Sequence, residues 1–223
     1  MRLLDLFCGA GGAATGYRRV GFDVTGVDVA AQPRYPFGFH RADALDVLAD
    51  PTFLAGFDVI HASPPCQDYS VTASLHTSGH PRLIEPTRAR LLSAGVPYVM
   101  ENVVGAPLFN PVRLCGSSFG LGVRRHRLFE LSWPLLFVPP CAHYLQPEPI
   151  DVTGTGGPAG RLPGQGGGIH RKPRNLTHAR AVMGIDWMNR RELSQAIPPA
   201  YTEFIGTQLL DHLTTTSAAE AAA

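Results

Sequence analysis

Arg2-Leu3-Leu4-Asp5-Leu6-Phe7, followed at once by Cys8-Gly9-Ala10-Gly11-Gly12, decides the fold class. The first six residues are a short apolar run carrying one carboxylate, as in a strand buried on both faces. The glycines that stop it let backbone approach a ligand closely. Residues 13–20 are helix-compatible, so the turn sets a helix N-terminus where an anion is favoured. A tight turn with no ligand is the simpler reading of such glycines alone. The run continues as Gly12-Ala13-Ala14, which departs from the G-x-G-x-x-G dinucleotide fingerprint and argues against a nicotinamide enzyme.

Outward from this stretch, strand and helix signals alternate. Residues 22–28 read as a strand, 44–54 as a short helix and 57–62 as a strand stopped by Pro64-Pro65. Residues 84–94 read as a helix with Pro86 in its first turn, and 97–101 as another strand. This rhythm predicts an α/β protein with a doubly wound, mostly parallel sheet. Past Pro107, residues 113–115 and 126–131 read as strands, and order returns over 175–183. A last helix is expected from Pro199, with Tyr201, Phe204, Ile205 and Leu209 on one face. Four regions result: a catalytic and cofactor-binding domain over 1–131, a small Gly/Pro-rich region over 132–173, helices returning to the first domain over 174–213, and a frayed tail over 214–223.

Hydrophobic residues make up 44 % and charged residues 17 % of the 223, which suits a folded domain with a real core. A net charge of +1 requires any nucleic-acid-binding surface to be local. The four cysteines are too sparse for a disulfide framework, and Leu6-Phe7-Cys8 lacks the apolar stretch of a lipidation signal. A cytoplasmic protein without a membrane span is expected. Cys115, Cys141 and His143 follow no strong metal-ligand spacing, so no metal is expected.

Asp28 ends the second strand and can take both hydroxyls of a ribose. Asp43, past the next turn, can accept from an adenine amino group. Ser63-Pro64-Pro65-Cys66-Gln67 leaves the edge of the sheet where ligands bind in such folds, and two prolines stiffen it. A rigid cysteine there is a candidate nucleophile, although isolated cysteines are more often core residues. Glu101-Asn102-Val103 ends the next strand at the same edge. A carboxylate beside a thiol would raise the thiol pKa. That conflict goes away if Glu101 is protonated, or shares a proton, and engages a base ring. Arg125 and Arg127 are expected to alternate on one strand and point the same way, holding a phosphate or a base carbonyl and favouring the thiolate. Arg124-Arg125-His126-Arg127 can also be read as a solvated charge run.

Together these residues resemble the DNA cytosine-5 methyltransferase family, in a compact phage or bacterial form. Residues 5–12 look like its cofactor motif, Pro64-Pro65-Cys66-Gln67 its nucleophile motif, Glu101-Asn102-Val103 its glutamate motif and Arg125-His126-Arg127 its Arg-x-Arg motif. Arg174-Asn175-Leu176-Thr177 with Met183-Gly184, and then Ala196-Ile197-Pro198-Pro199, are similar to the later motifs, in family order. The resemblance implies the Rossmann-like fold of S-adenosylmethionine-dependent methyltransferases, with S-adenosyl-L-methionine as cofactor. Phe7, Gly9, Ala10, Gly11, Gly12 and Asp28 would hold it, with Val29, Asp43, Ala44 and Pro64, and with Gln195 and Ala196 returning from the C-terminal side. It implies double-stranded DNA as substrate and a flipped cytosine. The Cys66 thiolate would add to carbon 6, Glu101 would engage N3 and the amino group, and carbon 5 would take the methyl group. The last proton falls to a water or to a side chain not identified.

The family's final motif has Gly-Asn where Ser194-Gln195 stand, and its Gln two residues before Arg-x-Arg is Val123 here. Residues 132–173 take the place of a target-recognition region. So short a stretch predicts a target of about two to four base pairs read by direct contacts. Gln67, Ser70, Arg124, His170, Arg171, Lys172 and Arg174 are the candidate DNA contacts. A monomer is expected. A tRNA cytosine-5 methyltransferase and a catalytically silent DNA-binding relative are the alternatives.

Overall fold

In a computed structural model, described here over residues 1–65, 82–153 and 170–221, Leu3 faces one core while Leu4 and Leu6 face another. Their strand, β1 (Arg2–Leu6), lies inside a seven-stranded sheet. It is followed by α1 (Gly12–Arg19), β2 (Asp23–Asp28), β3 (Gly38–Arg41), α2 (Ala44–Leu48), α3 (Pro51–Leu54) and β4 (Val59–Ala62). Then come α4 (Ile84–Ala94), β5 (Tyr98–Asn102), β6 (Val112–Leu114), β7 (Arg127–Leu131), α5 (Leu176–Met183), α6 (Arg190–Gln195) and α7 (Pro199–Ala221). The sheet order is β3-β2-β1-β4-β5-β7-β6. The first five of these strands are parallel, and β7 enters antiparallel between β5 and β6. The expected α/β doubly wound sheet is therefore present.

Helices cover both faces, which is why β4 and β5 are buried along their whole length. Alternation divides the strand side chains: Leu3, Val59 and Val99 pack under α1 and α7, while Leu4, Ile60 and Met100 pack under α2 and α4. Two glycines allow α1 to lie against the start of α7. A Cβ at Gly12 would meet the Ile197 carbonyl at 2.4 Å, and one at Gly16 would meet the Pro199 carbonyl at 2.2 Å. Thr202 completes the contact by donating to the Ala13 carbonyl at 2.8 Å.

Three boundaries depart from the sequence reading. The single helix expected over 44–54 is two, because Pro51 starts α3 with Asp50 as its cap, accepting from Thr52 and Phe53. The tail expected to fray continues helical to Ala221, over a run rich in alanine. β7 begins at Arg127, so Arg125 lies before the strand. Among the described residues no helix is long and apolar enough to cross a membrane.

Candidate active site

The parallel strands all end at one edge, and the candidate residues gather there. At the end of β1, Phe7 and Gly9 have φ of 57° and 50°, the left-handed region that a bulky residue rarely occupies. Gly11 takes φ 85° as it caps α1. The turn is closed by hydrogen bonds from Cys8 N to the Val27 carbonyl and from Gly11 N to the Cys8 carbonyl, both 3.1 Å. Asp28, at the end of β2, accepts from Gly9 N at 3.1 Å and from Ala30 N at 2.9 Å, which fixes its carboxylate beside the turn. Val29 next to it is 68 % exposed. Asp43 caps α2 by accepting from Leu45 N at 2.7 Å, and Ala44 is buried behind it.

The C-terminal segment closes the back of this turn. Trp187 donates its ring N–H to the Ala10 carbonyl at 2.8 Å, and α6 ends at Gln195, which is exposed, with Ala196 following. These residues fit an adenosyl cofactor. A Cβ on Gly9 would meet nothing within 4 Å, so the turn opens onto space, and a fixed carboxylate and an exposed apolar side chain border it.

One strand over, the loop after β4 begins with Ser63, whose N–H donates to the Leu6 carbonyl at 3.2 Å. Asn102, at the end of β5, donates its side-chain amide to the Pro64 carbonyl at 2.9 Å. The Pro64-Pro65 segment that leads into Cys66 is thus tied to the strand that carries Glu101. Cys66, Gln67 and Ser70 themselves lie outside the described residues. Glu101 is buried, with Oε1 3.0 Å from Arg127 Nε. Burial raises its carboxyl pKa. Arg127, a hydrogen bond with the Ser63 hydroxyl and, least, Arg125 pull the other way without cancelling the rise. Cys8 offers no rival nucleophile, because burial, Asp5 and Asp28 push its thiol pKa far up.

Arg125 departs from the expectation. With φ of 39° it lies outside β7 and does not alternate with Arg127. Its guanidinium donates to the carbonyls of Ala196 (2.7 Å) and Ser194 (2.8 Å), and Tyr201 donates to its carbonyl at 2.8 Å. Arg125 thus ties the end of α6 to the start of β7, a positioning task that the sequence pattern did not show. Arg124 is likewise interior and donates to the Gln146 carbonyl at 3.0 Å. His170 is buried, and Lys172 pairs with the buried carboxylate of Asp151. Arg171 is exposed but paired with Glu148, and Arg174 is exposed. Of the basic residues expected at DNA, Arg171 and Arg174 are exposed, Lys172 is partly buried, and Arg124 and His170 are interior.

Sequence reasoning missed the support beneath Glu101. Tyr17 hydroxyl and His61 Nδ1 are 2.9 Å apart, His61 Nε2 and Ser63 hydroxyl 2.9 Å, and Ser63 in turn reaches Glu101. The available signal was a histidine in a strand otherwise apolar on both faces. Burial lowers the His61 pKa to about 3, so this buried ring is neutral. Beside it on β1, burial raises the Asp5 pKa to about 8, against a weaker lowering by the Tyr35 hydroxyl.

The signs of these two shifts differ. Unfolded His61 binds a proton below about pH 6.5 and the native ring does not, so stability is lost as pH falls through that value. Native Asp5 keeps its proton up to about pH 8 while the unfolded chain has lost it above about pH 4, so stability falls as pH rises. The two oppose each other from about pH 4 to 6.5, and above that Asp5 acts alone, at about 1.4 kcal/mol per pH unit. Urea unfolding should show a loss of about 2 kcal/mol between pH 6.5 and 8 that Asp5→Asn abolishes. An equal slope in the variant would contradict the buried neutral carboxyl.

The sheet order, with its inserted antiparallel strand, is that of the Rossmann-like fold seen in solved methyltransferase structures. Residues 1–107 match the family model of the C-5 cytosine-specific DNA methylases. No curated protein matches the sequence. Among solved structures, the chain is similar to a prophage-encoded E. coli protein assigned as a DNA modification methyltransferase, with 17 % identity and a TM-score of 0.61 over 96 % of this chain and 99 % of that one. It is also similar to the Entamoeba histolytica methyltransferase EhMeth, with 12 % identity and a TM-score of 0.55 over 96 % of this chain and 98 % of that one. At these identities the likeness is one of fold.

Proposed function

We propose that the protein methylates carbon 5 of cytosine in double-stranded DNA, using S-adenosyl-L-methionine, with Cys66 as nucleophile. The observation that carries this reading is the buried Glu101, its pKa raised, at the same sheet edge as the tethered loop that leads into Cys66. Phe7, Gly9 and the carboxylate of Asp28 would hold the cofactor, which supplies an electrophilic methyl group on a sulfonium when bound. Cys66 adds as thiolate to carbon 6 of a flipped cytosine. Glu101 donates its proton toward N3 and accepts from the amino group, so negative charge building on the ring is drawn off as carbon 5 becomes nucleophilic. Arg127 orients Glu101 through the 3.0 Å contact and supplies a positive charge at this sheet edge that favours a thiolate. Arg125, spent on the carbonyls of Ser194 and Ala196, keeps the last motif against the site.

Duplex DNA is favoured as substrate because the matched family is one of DNA methylases. The test is transfer of labelled methyl groups to duplex DNA and, in parallel, to tRNA. Label in 5-methylcytosine of the duplex is expected. Label confined to tRNA would move the assignment to RNA, and no label on either would favour a silent binding protein.

A further inference from the structure

At the start of β7, four side chains from three separated segments meet. Cys115 follows β6, His126 precedes β7, and Cys141 and His143 come from the long segment after β7. Their donor atoms all lie within 4.8 Å of one another. His126 Nε2 is 3.2 Å from His143 Nε2, Cys115 Sγ is 3.3 Å from His143 Nε2, and Cys141 Sγ is 3.5 Å from His126 Nε2.

Four ligands around a tetrahedral zinc ion, at bond lengths of about 2.0–2.3 Å, are separated from one another by about 3.3–3.8 Å. Three of the six separations, at 3.2–3.5 Å, are close to that spacing, and the others lie within 4.8 Å. Two thiolates also balance the double charge of the ion, and all four positions are filled by protein, which marks a structural rather than a catalytic site.

We propose that Cys115, His126, Cys141 and His143 bind one zinc ion. The surroundings are built for it. Ser117 hydroxyl lies 3.1 Å from Cys115 Sγ and accepts from Ala142 N at 3.0 Å, and Ser118 donates to the Pro140 carbonyl at 2.8 Å. The two cysteine segments are therefore stitched together independently of the metal. Cys115, Cys141 and His143 alone follow no metal-ligand spacing; His126, within the Arg-x-Arg motif, completes the set of four.

The ion would serve the site through position. His126 stands between Arg125, which holds the end of α6, and Arg127, which holds Glu101. Zinc also anchors the base of a 3-10 turn, His143–Leu145, whose Tyr144 and Leu145 are 82 % and 71 % exposed. An apolar tip is thereby fixed to the start of the strand that carries Arg127.

The test is elemental analysis of the purified full chain, together with reconstitution by cobalt after chelation. One zinc per chain is expected, with the visible bands of tetrahedral cobalt and a thiolate-to-cobalt charge-transfer band. Cys141→Ser and His143→Ala should each reduce bound zinc at least tenfold. If either variant fails to fold, the cobalt spectrum of the wild type still decides. Zinc below one tenth per chain with no tetrahedral cobalt spectrum would overturn the site. So would a Cys115–Cys141 disulfide, seen as two thiols too few in the denatured, unreduced protein.

Discussion

Glu101→Gln should lower the rate of methyl transfer by about 10²- to 10⁴-fold, the usual weight of a positioned proton donor. The amide keeps the shape of the carboxyl beside Arg127 Nε, which lies 3.0 Å from Oε1 in the native protein, so the fold should be unchanged. What it loses is an exchangeable acidic proton at the place where charge develops on the base ring. The raised pKa of Glu101 gives the effect a second signature. Activity in the wild type should decline as pH rises through the titration of this group, and the variant should lose that limb. Single-turnover transfer of labelled methyl, read across pH, measures both. A rate within threefold of wild type, with the pH limb intact, would remove Glu101 from the chemistry.

Arg88→Ala should destabilise the protein by about 3–5 kcal/mol, because it leaves a buried carboxylate without its partner. Arg88 and Glu130 are each only 3 % exposed, and Nε and Nη2 of Arg88 both donate to Glu130 at 2.9 Å. The same guanidinium donates to the Pro107 carbonyl at 2.7 Å and lies over the Phe109 ring. Burial alone would raise the Glu130 pKa; Arg88, Phe109 N–H and the Tyr98 hydroxyl outweigh it and hold it low. The Glu85 end of Arg88 is 65 % exposed on the carboxylate side and adds little. The network fastens α4 to β7, whose pairing with β5 sets Glu101 opposite Phe129. Urea unfolding of Arg88→Ala, Glu130→Gln and the apolar pair Arg88→Met with Glu130→Leu separates the terms. The single change at Arg88 should cost several times more than the apolar pair, which leaves no orphaned charge. Equal losses would mean that packing, not the ion pair, sets the cost.

The central strands were legible because parallel strands covered on both faces are continuous apolar runs, as in β1, β4 and β5. β3 was not. At the sheet edge it has only Phe39 half-buried among exposed Gly38, His40 and Arg41, so no pattern marks it. α6 was missed because Leu193 is its one buried side chain, although Asn189 and Glu192 form a capping box three residues apart that could have announced it.

The site divides in a similar way. The placement of Gly9, Asp28 and Glu101 at one sheet edge was readable because each lies at or near the end of a strand, and a doubly wound sheet gathers strand ends. Arg125 was misread by extending the strand period two residues too far, past a left-handed backbone that no periodicity reveals. The Tyr17, His61 and Ser63 chain, and the cluster of Cys115, His126, Cys141 and His143, depend on contacts between distant segments. Spacing along the chain carries no trace of either.

The most direct test is covalent trapping on duplex oligonucleotides containing 5-fluorocytosine, with S-adenosylmethionine, for wild type and Cys66→Ala. Fluorine on carbon 5 cannot leave as a proton does, so the adduct between Cys66 and carbon 6 should persist. A heat-stable adduct that requires the cofactor and forms with wild type alone is the predicted result. An adduct that survives Cys66→Ala, or none with wild type when cofactor binding is confirmed, would contradict it.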